Sequence, residues 1–360
     1  MAALCSSACG SGASSTTIPG GGPGASSSKL GDFVWYDRNR NGIQDVGELG
    51  IAGVGLGLFD QNGLQQTTVS DADGHYAFKN LPAGTYGIEI ALNTLPPLAV
   101  RTLCNAGTDD ALDNDCAPVV VTLLDGATDN TGVDFGFHAE LVALHFETED
   151  DCVTPLVNGQ DISSREEFGR LVSIDGFPAS GLTAAIFDSD PLGPNASSSD
   201  PDLLVDLGNV LILQENPGQS VPGIYDLPDD DALGGELRFR FDNAAALLRS
   251  IDLIDLRPDP GQDVFVLITD RAGRTRSYSV PSGWTEDIAL DGPPGFRTLY
   301  MLGLSDQPGF LSVATAQEDL GFDELSVVEL CVRLGGSGAV DNLLFSPDLL
   351  ELALTLRTDR

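Results

Sequence analysis

Turn-forming residues interrupt the chain every eight to twelve positions from residue 30 onward, and this spacing constrains the fold more than any other feature. Between the turns lie short segments rich in valine, isoleucine, threonine and aromatic residues, a cadence that is typical of an all-β sandwich. Asn62-Gly63 and Asp73-Gly74 supply the left-handed residues that close hairpins. The sequence therefore predicts an all-β protein.

The predicted strands fall into two blocks of unequal size. Those of the first block are residues 33–36, 56–59, 67–69, 76–78, 85–90 and 119–123. Those of the second block are residues 182–187, 209–213, 236–241, 250–256, 264–269, 277–280, 298–302 and 325–334. The one credible helix begins at Ser163 or Ser164, ahead of two glutamates in a capping-box pattern. We therefore predict a Gly/Ser/Pro-rich leader at residues 1–28, domains at residues 30–138 and 140–347, and a fresh strand at residues 348–360 that opens a further domain or forms a tail.

The charge of the chain limits its partners. It carries 54 acidic and 18 basic side chains, for a formal net charge of −36. Nucleic-acid binding requires a basic face, which a chain with only Lys29 and Lys79 as lysines does not provide, and the same reasoning disfavours an anionic membrane surface. No apolar run reaches the length of about 18 residues that a transmembrane helix requires. We predict neither nucleic-acid binding nor membrane insertion.

The most specific motif is DxNxNGxxDxGE, which begins at Asp37 and ends at Glu48. Its spacing fits the oxygen-ligand loop of calcium-binding proteins without a mismatch. A cation that takes about six to eight oxygen ligands draws them from alternate residues of a tightly wound loop. We predict as Ca²⁺ ligands the side chains of Asp37, Asn39, Asn41, Asp45 and Glu48 and the backbone carbonyl of Ile43.

The segments that flank this loop exclude a helix-loop-helix hand. Residues 33–36 alternate like a strand, and the glycines of LGIAGVGLG after the loop disfavour a helix. The calcium loop must therefore lie on a β scaffold. The alternative is that residues 37–48 form only a polar turn, in which Asp and Asn play their usual turn roles.

Three segments of the first block resemble a known family in the family's own order. They are LGDFVWYDRNRNGIQDVGELGIAGVGLGLFDQNG, TTVSDADGHYAFKNLPAGTYGIEI and DFGF at residues 134–137. Residues 30–138 are thereby similar to the serine-aspartate-repeat B-like domain of bacterial surface adhesins, a relative of the collagen-adhesin B-type module. The resemblance implies a prealbumin-like Greek-key sandwich that binds several Ca²⁺ ions and serves as a stiff spacer in a secreted or cell-surface protein. By position, it implies further Ca²⁺ ligands at Asp71, Asp73, Asp109, Asp110, Asp113 and Asp115.

Segments of the second block resemble a secreted bacterial β-sandwich that is found beside the adhesin spacer. They include FETEDD from residue 146, IFDSD from residue 186 and SGAVDNLLF from residue 337. The resemblance implies a larger, galactose-binding-like jelly-roll β-sandwich with one structural Ca²⁺ between its first and last strands, where Glu147 and Asp341 lie. Asp188 and Asp190 are further candidates. The alternative is that these residues belong to the solvated loops of an acidic protein.

Six cysteines allow fifteen disulfide pairings. Cys104 and Cys116 bracket the acidic loop, and the adhesin family pattern lacks both. Cys152 follows the first strand of the second block, and Cys331 lies within its last strands. We predict the disulfides Cys104–Cys116 and Cys152–Cys331, with six buried thiols as the alternative.

The preferred function is that of a calcium-stabilised structural or adhesive module with no enzymatic activity, whose partners are calcium and glycans or other surface proteins. One alternative is a carbohydrate-binding module that uses Trp284 or Tyr225 as an aromatic platform, although each fits a half-buried loop anchor as well. A secreted glycan hydrolase is a further alternative, because it needs only two carboxylates. No nucleophile–histidine or zinc-spaced motif occurs in the sequence.

Overall fold

The computed structural model describes residues 28–115, 119–124, 128–149, 151–162, 168, 171–197, 200–258, 264–281, 283–286, 295–303 and 316–351. The predicted all-β class is confirmed, because helix in these ranges is limited to short 3-10 segments and one helical turn at residues 349–351. The 3-10 segments are Leu92–Thr94, Pro201–Leu203, Trp284–Glu286 and Glu324–Ser326. None of the described helical segments is long and apolar enough to cross a bilayer. The helix predicted at Ser163 or Ser164 lies outside the described residues.

Nine strands of the described residues build the first sandwich. They are β1 (Ser28–Leu30), β2 (Val34–Tyr36), β3 (Gly55–Asp60), β4 (Gly63–Val69), β5 (Phe78–Leu81), β6 (Gly84–Ile90), β7 (Ala99–Arg101), β8 (Val119–Leu123) and β9 (Phe135–Ala139). One layer is the four-stranded sheet β4-β3-β6-β8. The other contains the three-stranded sheet β2-β9-β7 and the two-stranded pair β1-β5. Strand β6 shows how the two layers pack together. Its Tyr86, Ile88 and Ile90 are buried between the layers, while Thr85 and Glu89 face water.

The pairing of β2 with β9 is parallel, with Val34 opposite Phe135 and Tyr36 opposite Phe137. All three residues of β2 are buried, as expected for a parallel strand that is covered on both faces. This pairing joins segments that are about one hundred residues apart in sequence, and it places the residues just before β2 beside those just before β9. The acidic groups at these two positions form part of the candidate site.

The described part of the second sandwich contains thirteen strands. They are β10 (Val142–Leu144), β11 (Asp161–Ile162), β12 (Ser173–Pro178), β13 (Ala184–Asp188), β14 (Asn209–Leu213), β15 (Gly235–Arg240), β16 (Ala246–Pro258), β17 (Val264–Asp270), β18 (Thr275–Val280), β19 (Phe296–Tyr300), β20 (Ala316–Glu318), β21 (Val327–Leu334) and β22 (Gly336–Pro347). One layer has the order β12-β15-β21-β17-β18-β20. The other has the order β11-β13-β14-β22-β16-β19, with β10 also paired to β22.

The core of the second sandwich lies between these layers, and the period-two pattern of β15 illustrates how it forms. Leu237, Phe239 and Phe241 are buried, and Arg238 and Arg240 are half-exposed, as the sequence predicts. The two arginines form ion pairs with acidic side chains on adjacent strands and on their own strand. A smaller apolar cluster on the outer face of the second layer is covered by loop residues such as Leu203 and Tyr225.

The chain returns to the first sandwich after β22. We call residues 346–351 the C-terminal strap. Leu349 of this strap is fully buried in the core of the first sandwich, and the hydroxyl of Tyr36 donates a hydrogen bond to the carbonyl oxygen of Pro347 at 3.3 Å. Residues 349–351 form a helical turn rather than the predicted fresh strand, and residues 352–360 lie outside the described ranges.

Candidate functional site

The predicted calcium loop, residues 37–48, begins directly after β2. Its backbone is anchored to the last strand of the sandwich, because the N–H of Asp37 donates to the carbonyl oxygen of Phe137 at 2.8 Å. Gly42 has φ of 79°, and a Cβ atom at this position would lie 2.5 Å from the backbone oxygen of Leu103. The tight turn therefore requires glycine for both its conformation and its close contact.

Asp37 is the structural centre of the loop. Its side chain is fully buried, and its carboxylate accepts hydrogen bonds from the N–H of Arg40 at 2.7 Å and of Gly42 at 2.8 Å. The hydroxyl of Thr102 donates a third hydrogen bond to the same carboxylate. These bonds wind the loop around the carboxylate of Asp37, whose role as a calcium ligand stays a prediction.

The other predicted side chains of the loop converge on Asp45. The amide groups of Asn39 and Asn41 donate to Oδ2 of Asp45 at 2.8 and 2.7 Å. The two oxygens of Glu48 accept the backbone N–H groups of Arg38 and Asp45. Burial raises the pKa of Glu48 to about 6, against the lowering effect of these hydrogen bonds. The loop therefore brings together the carboxylate of Asp45, which accepts hydrogen bonds from two side-chain amides, and the half-buried carboxylate of Glu48.

The acidic loop, residues 109–115, packs directly against the calcium loop. The N–H of Gln44 donates to the carbonyl oxygen of Leu112 at 2.7 Å, and Ile43 forms an isolated bridge with Asp113. Asp113 is buried, and its Oδ1 atom has no hydrogen-bond partner. Burial, together with the carboxylates of Asp110 and Asp109, raises its pKa. The predicted ligands of the two loops thus lie on adjoining backbone segments.

Asp134 is the most strongly perturbed carboxylate of the first sandwich, and the sequence motifs did not identify it as a ligand. It is fully buried, its Oδ1 accepts the N–H of Phe33 at 2.9 Å, and its Oδ2 has no hydrogen-bond partner. Burial and the nearby carboxylates of Asp32, Asp115 and Asp113 raise its pKa to about 8. An acceptor that is buried without a donor is costly unless a proton or a cation neutralises it.

Asp115 and Asp32, which are half-buried, complete this group of carboxylates. Oδ2 of Asp115 accepts the N–H of Asp134 at 2.8 Å, and burial raises the pKa of Asp115 to about 6. Burial also raises the pKa of Asp32, which lies 3.6 Å from Nδ1 of His75. The parallel register of β2 and β9 explains why Asp32 and Asp134 meet. The signal in the sequence was the pair of segments GDF and DFGF, whose aspartates precede these strands.

Asp71 and Asp73, which the resemblance placed at a further ion, lie in an exposed turn between β4 and β5, which do not pair with each other. Oδ1 of Asp71 accepts the N–H groups of Asp73 and His75 at 3.0 and 2.9 Å. These contacts are those of an Asx turn. The role of this turn as a ligand site stays a prediction.

In the second sandwich, the predicted pair Glu147 and Asp341 is accompanied by Asp252, which sequence reasoning missed. Asp252 lies opposite Asp341 in the β16–β22 pairing. Asp341 is buried, its Oδ1 has no hydrogen-bond partner, and burial with the carboxylates of Asp252 and Glu147 raises its pKa to about 7. Oε1 of Glu147 accepts the N–H of Asn209 at 2.8 Å, which holds the segment after β10 beside the start of β14. Asp188 accepts the N–H of Asp190 within its own loop.

A second acidic cluster of this sandwich was not predicted. Its residues come from separate loops and strands, so their spacing along the sequence does not predict the cluster. Among the described residues, carboxylate oxygens within 4.8 Å of one another are found in the sets Asp200, Asp202 and Asp255, and Asp200, Asp229 and Asp230. Burial, followed by the hydrogen bond and the negative charge of Asp200, raises the pKa of Asp230 to about 9.

The predicted disulfide between Cys152 and Cys331 is wrong, because both thiols are free in the structure. Cys331 lies in the middle of β21, between Arg238 of β15 and Leu267 of β17, whereas Cys152 lies in an exposed turn after β10. The two thiols therefore lie in different surroundings, Cys331 buried and Cys152 exposed to solvent. The pairing of Cys104 with Cys116 stays a prediction, since Cys116 lies outside the described residues.

The aromatic platforms that a carbohydrate-binding module would require are absent at the two predicted positions. Trp284 is 3% exposed and Tyr225 is 5% exposed. The hydroxyl of Tyr225 lies 2.9 Å from Oγ1 of Thr183 and belongs to the covered outer cluster. Both residues are loop anchors, which was the alternative interpretation.

The fold and the buried carboxylates define the first domain as an acidic β-sandwich. Residues 28–137 match the family model described as "SdrD B-like domain". The predicted B-like domain is therefore confirmed for this part of the chain.

Curated relatives agree with this match. The chain is 42% identical over 110 residues to serine-aspartate repeat-containing protein C of Staphylococcus aureus strain N315, which covers 30% of this chain and 11% of that protein. It is 41% identical over 132 residues to serine-aspartate repeat-containing protein F of Staphylococcus epidermidis strain ATCC 12228 / FDA PCI 1200, covering 34% of this chain and 8% of that protein. The chain thus spans about a tenth of the length of these relatives.

Solved structures with detectable similarity include pilins. The full-length major pilin RrgB of Streptococcus pneumoniae aligns with 14% identity and a TM-score of 0.24, over 88% of this chain and 45% of the pilin. GBS52, the minor pilin of Streptococcus agalactiae, aligns with 15% identity and a TM-score of 0.21, over 32% of this chain and 45% of that pilin. TM-scores this low do not establish a shared fold.

Proposed function

We propose that this chain is a non-enzymatic, calcium-stabilised structural or adhesive module of a secreted or cell-surface protein, in which Ca²⁺ neutralises the acidic loops of the first sandwich and stiffens it as a spacer. The observation that carries this proposal is the pair of buried carboxylate oxygens, Oδ1 of Asp113 and Oδ2 of Asp134, that have no hydrogen-bond partner. Such atoms are rare in folded proteins and call for a bound cation or proton.

The donors near these atoms fit calcium. Carboxylates dominate, backbone carbonyls are available from the calcium loop, and a hard cation with flexible coordination prefers these oxygen ligands. A proton is the competing neutraliser, because the pKa of Asp134 is about 8 in the absence of metal. A calcium ion would supply the missing positive charge at neutral pH without requiring Asp134 to be protonated. The ligands we propose are those of the calcium loop together with Asp113, Asp115, Asp134 and Asp32.

We extend the same proposal to Asp341 of the second sandwich. Its unpartnered Oδ1 and raised pKa are the features that distinguish Asp134, and Asp252 and Glu147 provide neighbouring carboxylates. We propose a structural cation here that joins β10, β16 and β22. A jelly-roll topology and a ligand-binding role for this domain also remain proposals, and the burial of Trp284 and Tyr225 weighs against sugar stacking as the mode of binding.

The test is a calcium titration of the whole purified chain after chelation, followed by elemental analysis and thermal unfolding. We expect bound calcium and a melting temperature that rises with calcium, with dissociation constants of roughly 10⁻⁵ to 10⁻³ M for the calcium loop because two of its ligands are neutral amides. Asp37→Asn should weaken binding. Asp60→Asn, at an exposed hairpin of the same sandwich, is the matched control and should leave binding unchanged. A chain that binds no calcium, or a melting temperature that calcium does not change, would contradict the proposal.

A further inference from the structure

The two arginines of the calcium loop point away from its ligands and contact the second sandwich. Arg38 and Arg40 alternate in sequence with the ligand residues Asp37, Asn39 and Asn41. Nη2 of Arg38 donates to the backbone oxygen of Leu325 at 2.7 Å and lies 3.6 Å from a carboxylate oxygen of Asp348.

Arg40 also contacts residues that lie where the two sandwiches meet. Its Nη2 donates to Oγ of Ser346 at 2.5 Å and to the carbonyl oxygen of Ala139 at 2.6 Å. Ala139 ends the first sandwich and Ser346 belongs to the C-terminal strap. The arginine therefore joins both segments of chain that cross between the two domains.

The strap itself is tied to both sandwiches. Leu349 is buried in the core of the first sandwich. On the other side, the N–H of Asp348 donates to the carbonyl oxygen of Ala245 at 2.6 Å, and Glu351 accepts the N–H of Ala245 and pairs with Arg271. Movement of one sandwich relative to the other must therefore displace this strap.

The backbones of the two arginines are bonded to the carboxylates that we propose as ligands. The N–H of Arg38 donates to Oε1 of Glu48 at 2.9 Å, and the N–H of Arg40 donates to Oδ1 of Asp37 at 2.7 Å. Without a cation, Asp37, Asp45 and Glu48 repel one another and the loop loosens. Because each arginine is held through these bonds, a loosened loop also releases its guanidinium groups from the strap.

We propose that cation binding in residues 37–48 locks the two sandwiches together, with Arg38 and Arg40 as the residues that hold the C-terminal strap. This inference rests on the proposed function, since it requires calcium to bind the loop. Calcium is then a switch between a jointed and a rigid two-domain unit, in addition to a stabiliser of one domain. Linkage requires the reverse effect as well, so that loss of the strap contacts lowers the affinity of the loop for calcium by the same factor.

The test is hydrogen exchange on the whole chain, with and without saturating calcium. In the wild type, calcium should increase protection of both the loop and strap peptides, the strap by about tenfold. In an Arg38→Met/Arg40→Met variant, calcium should still protect the loop, while the strap stays at its chelated level. Arg333→Met/Lys79→Met removes two exposed positive charges elsewhere and should behave like the wild type. Asp348→Asn, which keeps the hydrogen bonds to Leu350 and Glu351 but removes the ion pair with Arg38, gives a milder second variant.

The outcomes separate the two proposals. If neither loop nor strap responds to calcium, the proposed function fails and the switch fails with it. If the loop responds while the strap of the wild type does not, or if the strap of the double-arginine variant responds as in the wild type, the interdomain lock alone is refuted. If the double-arginine variant does not fold, an Asp348→Asn chain in which calcium protects the strap less than in the wild type supports the proposed interdomain lock.

Discussion

Replacing Asp134 by asparagine should stabilise the metal-free protein and reduce the further stabilisation that calcium provides. The substitution keeps an oxygen to accept the N–H of Phe33, and it removes the buried charge. In metal-free protein near pH 8 the charge of Asp134 destabilises the folded state, because the carboxylate is buried and lies near three other carboxylates. In calcium-loaded protein the same charge is a ligand, and its loss weakens binding.

The magnitude follows from the pKa. It rises from 3.8 to about 8, a difference that corresponds to a ceiling of about 6 kcal/mol at about 1.36 kcal/mol per pKa unit. Relaxation and water penetration reduce such penalties in real proteins, so we expect Asp134→Asn to stabilise the metal-free chain by about 2–4 kcal/mol. At about 2–4 °C per kcal/mol, the melting temperature rises by roughly 4–16 °C. With calcium, the wild type gains about 2.7 kcal/mol from each site at one hundred times its dissociation constant, a gain that the variant loses in part.

The assay is thermal unfolding of the whole chain in chelator and in calcium, with Asp60→Asn as the control. We expect the Asp134→Asn curve to lie above that of the wild type in chelator and to gain less from calcium. A variant that gains as much stability from calcium as the wild type does would show that the Asp134 carboxylate does not bind the ion, and the argument for a buried cation would then lose its main support.

Further outcomes follow from the same structure. The folded state holds the pKa of Asp134 above its unfolded value, so the folded protein binds more protons than the unfolded chain between about pH 4 and pH 8. Urea unfolding in chelator should therefore show a free energy of unfolding that falls as the pH rises, by about 4 kcal/mol at most from pH 5 to pH 8. Calcium should make this free energy less dependent on pH. Trp284→Ala should destabilise the chain by about 3–5 kcal/mol, as truncation of a buried aromatic does, and a glycan array should show no binding that depends on this residue; binding that is lost while stability is unchanged would reinstate the platform. In folded protein, Cys152 should react with a thiol reagent and Cys331 should react only after denaturation, with its raised pKa adding to its protection; mass spectrometry that finds the two joined would contradict the free thiols.

Local patterns in the sequence predicted most strands of the fold. Strands β8 and β14 have the predicted bounds, because both are continuous apolar runs between turn signals. Strand β12 was missed, since its sequence SIDGFP carries a glycine and a proline that weaken any strand pattern. The helical turn at residues 349–351 was missed for a different reason. Leu349 takes its conformation from the core of the first sandwich, which is more than two hundred residues away in sequence.

The candidate site shows the same division. The five side-chain ligands predicted in residues 37–48 follow from their spacing, because a single loop brings them together. Asp134 and Asp32 could not be inferred in this way, since only the parallel register of β2 and β9 places them side by side. Asp252 was missed for the corresponding reason, as it meets Asp341 across the pairing of β16 with β22. Spacing along the chain predicts a site within one loop, and a site between strands requires their register.

The parallel pairing of β2 with β9 has a mechanical consequence. One strand lies near the point where the chain enters the first sandwich and the other near the point where it leaves. A pulling force applied at these two points slides the strands past each other and loads their hydrogen bonds simultaneously, whereas a hairpin pulled at its open end would break them one after another. Strands that are loaded in this way resist separation better than strands whose hydrogen bonds break in sequence.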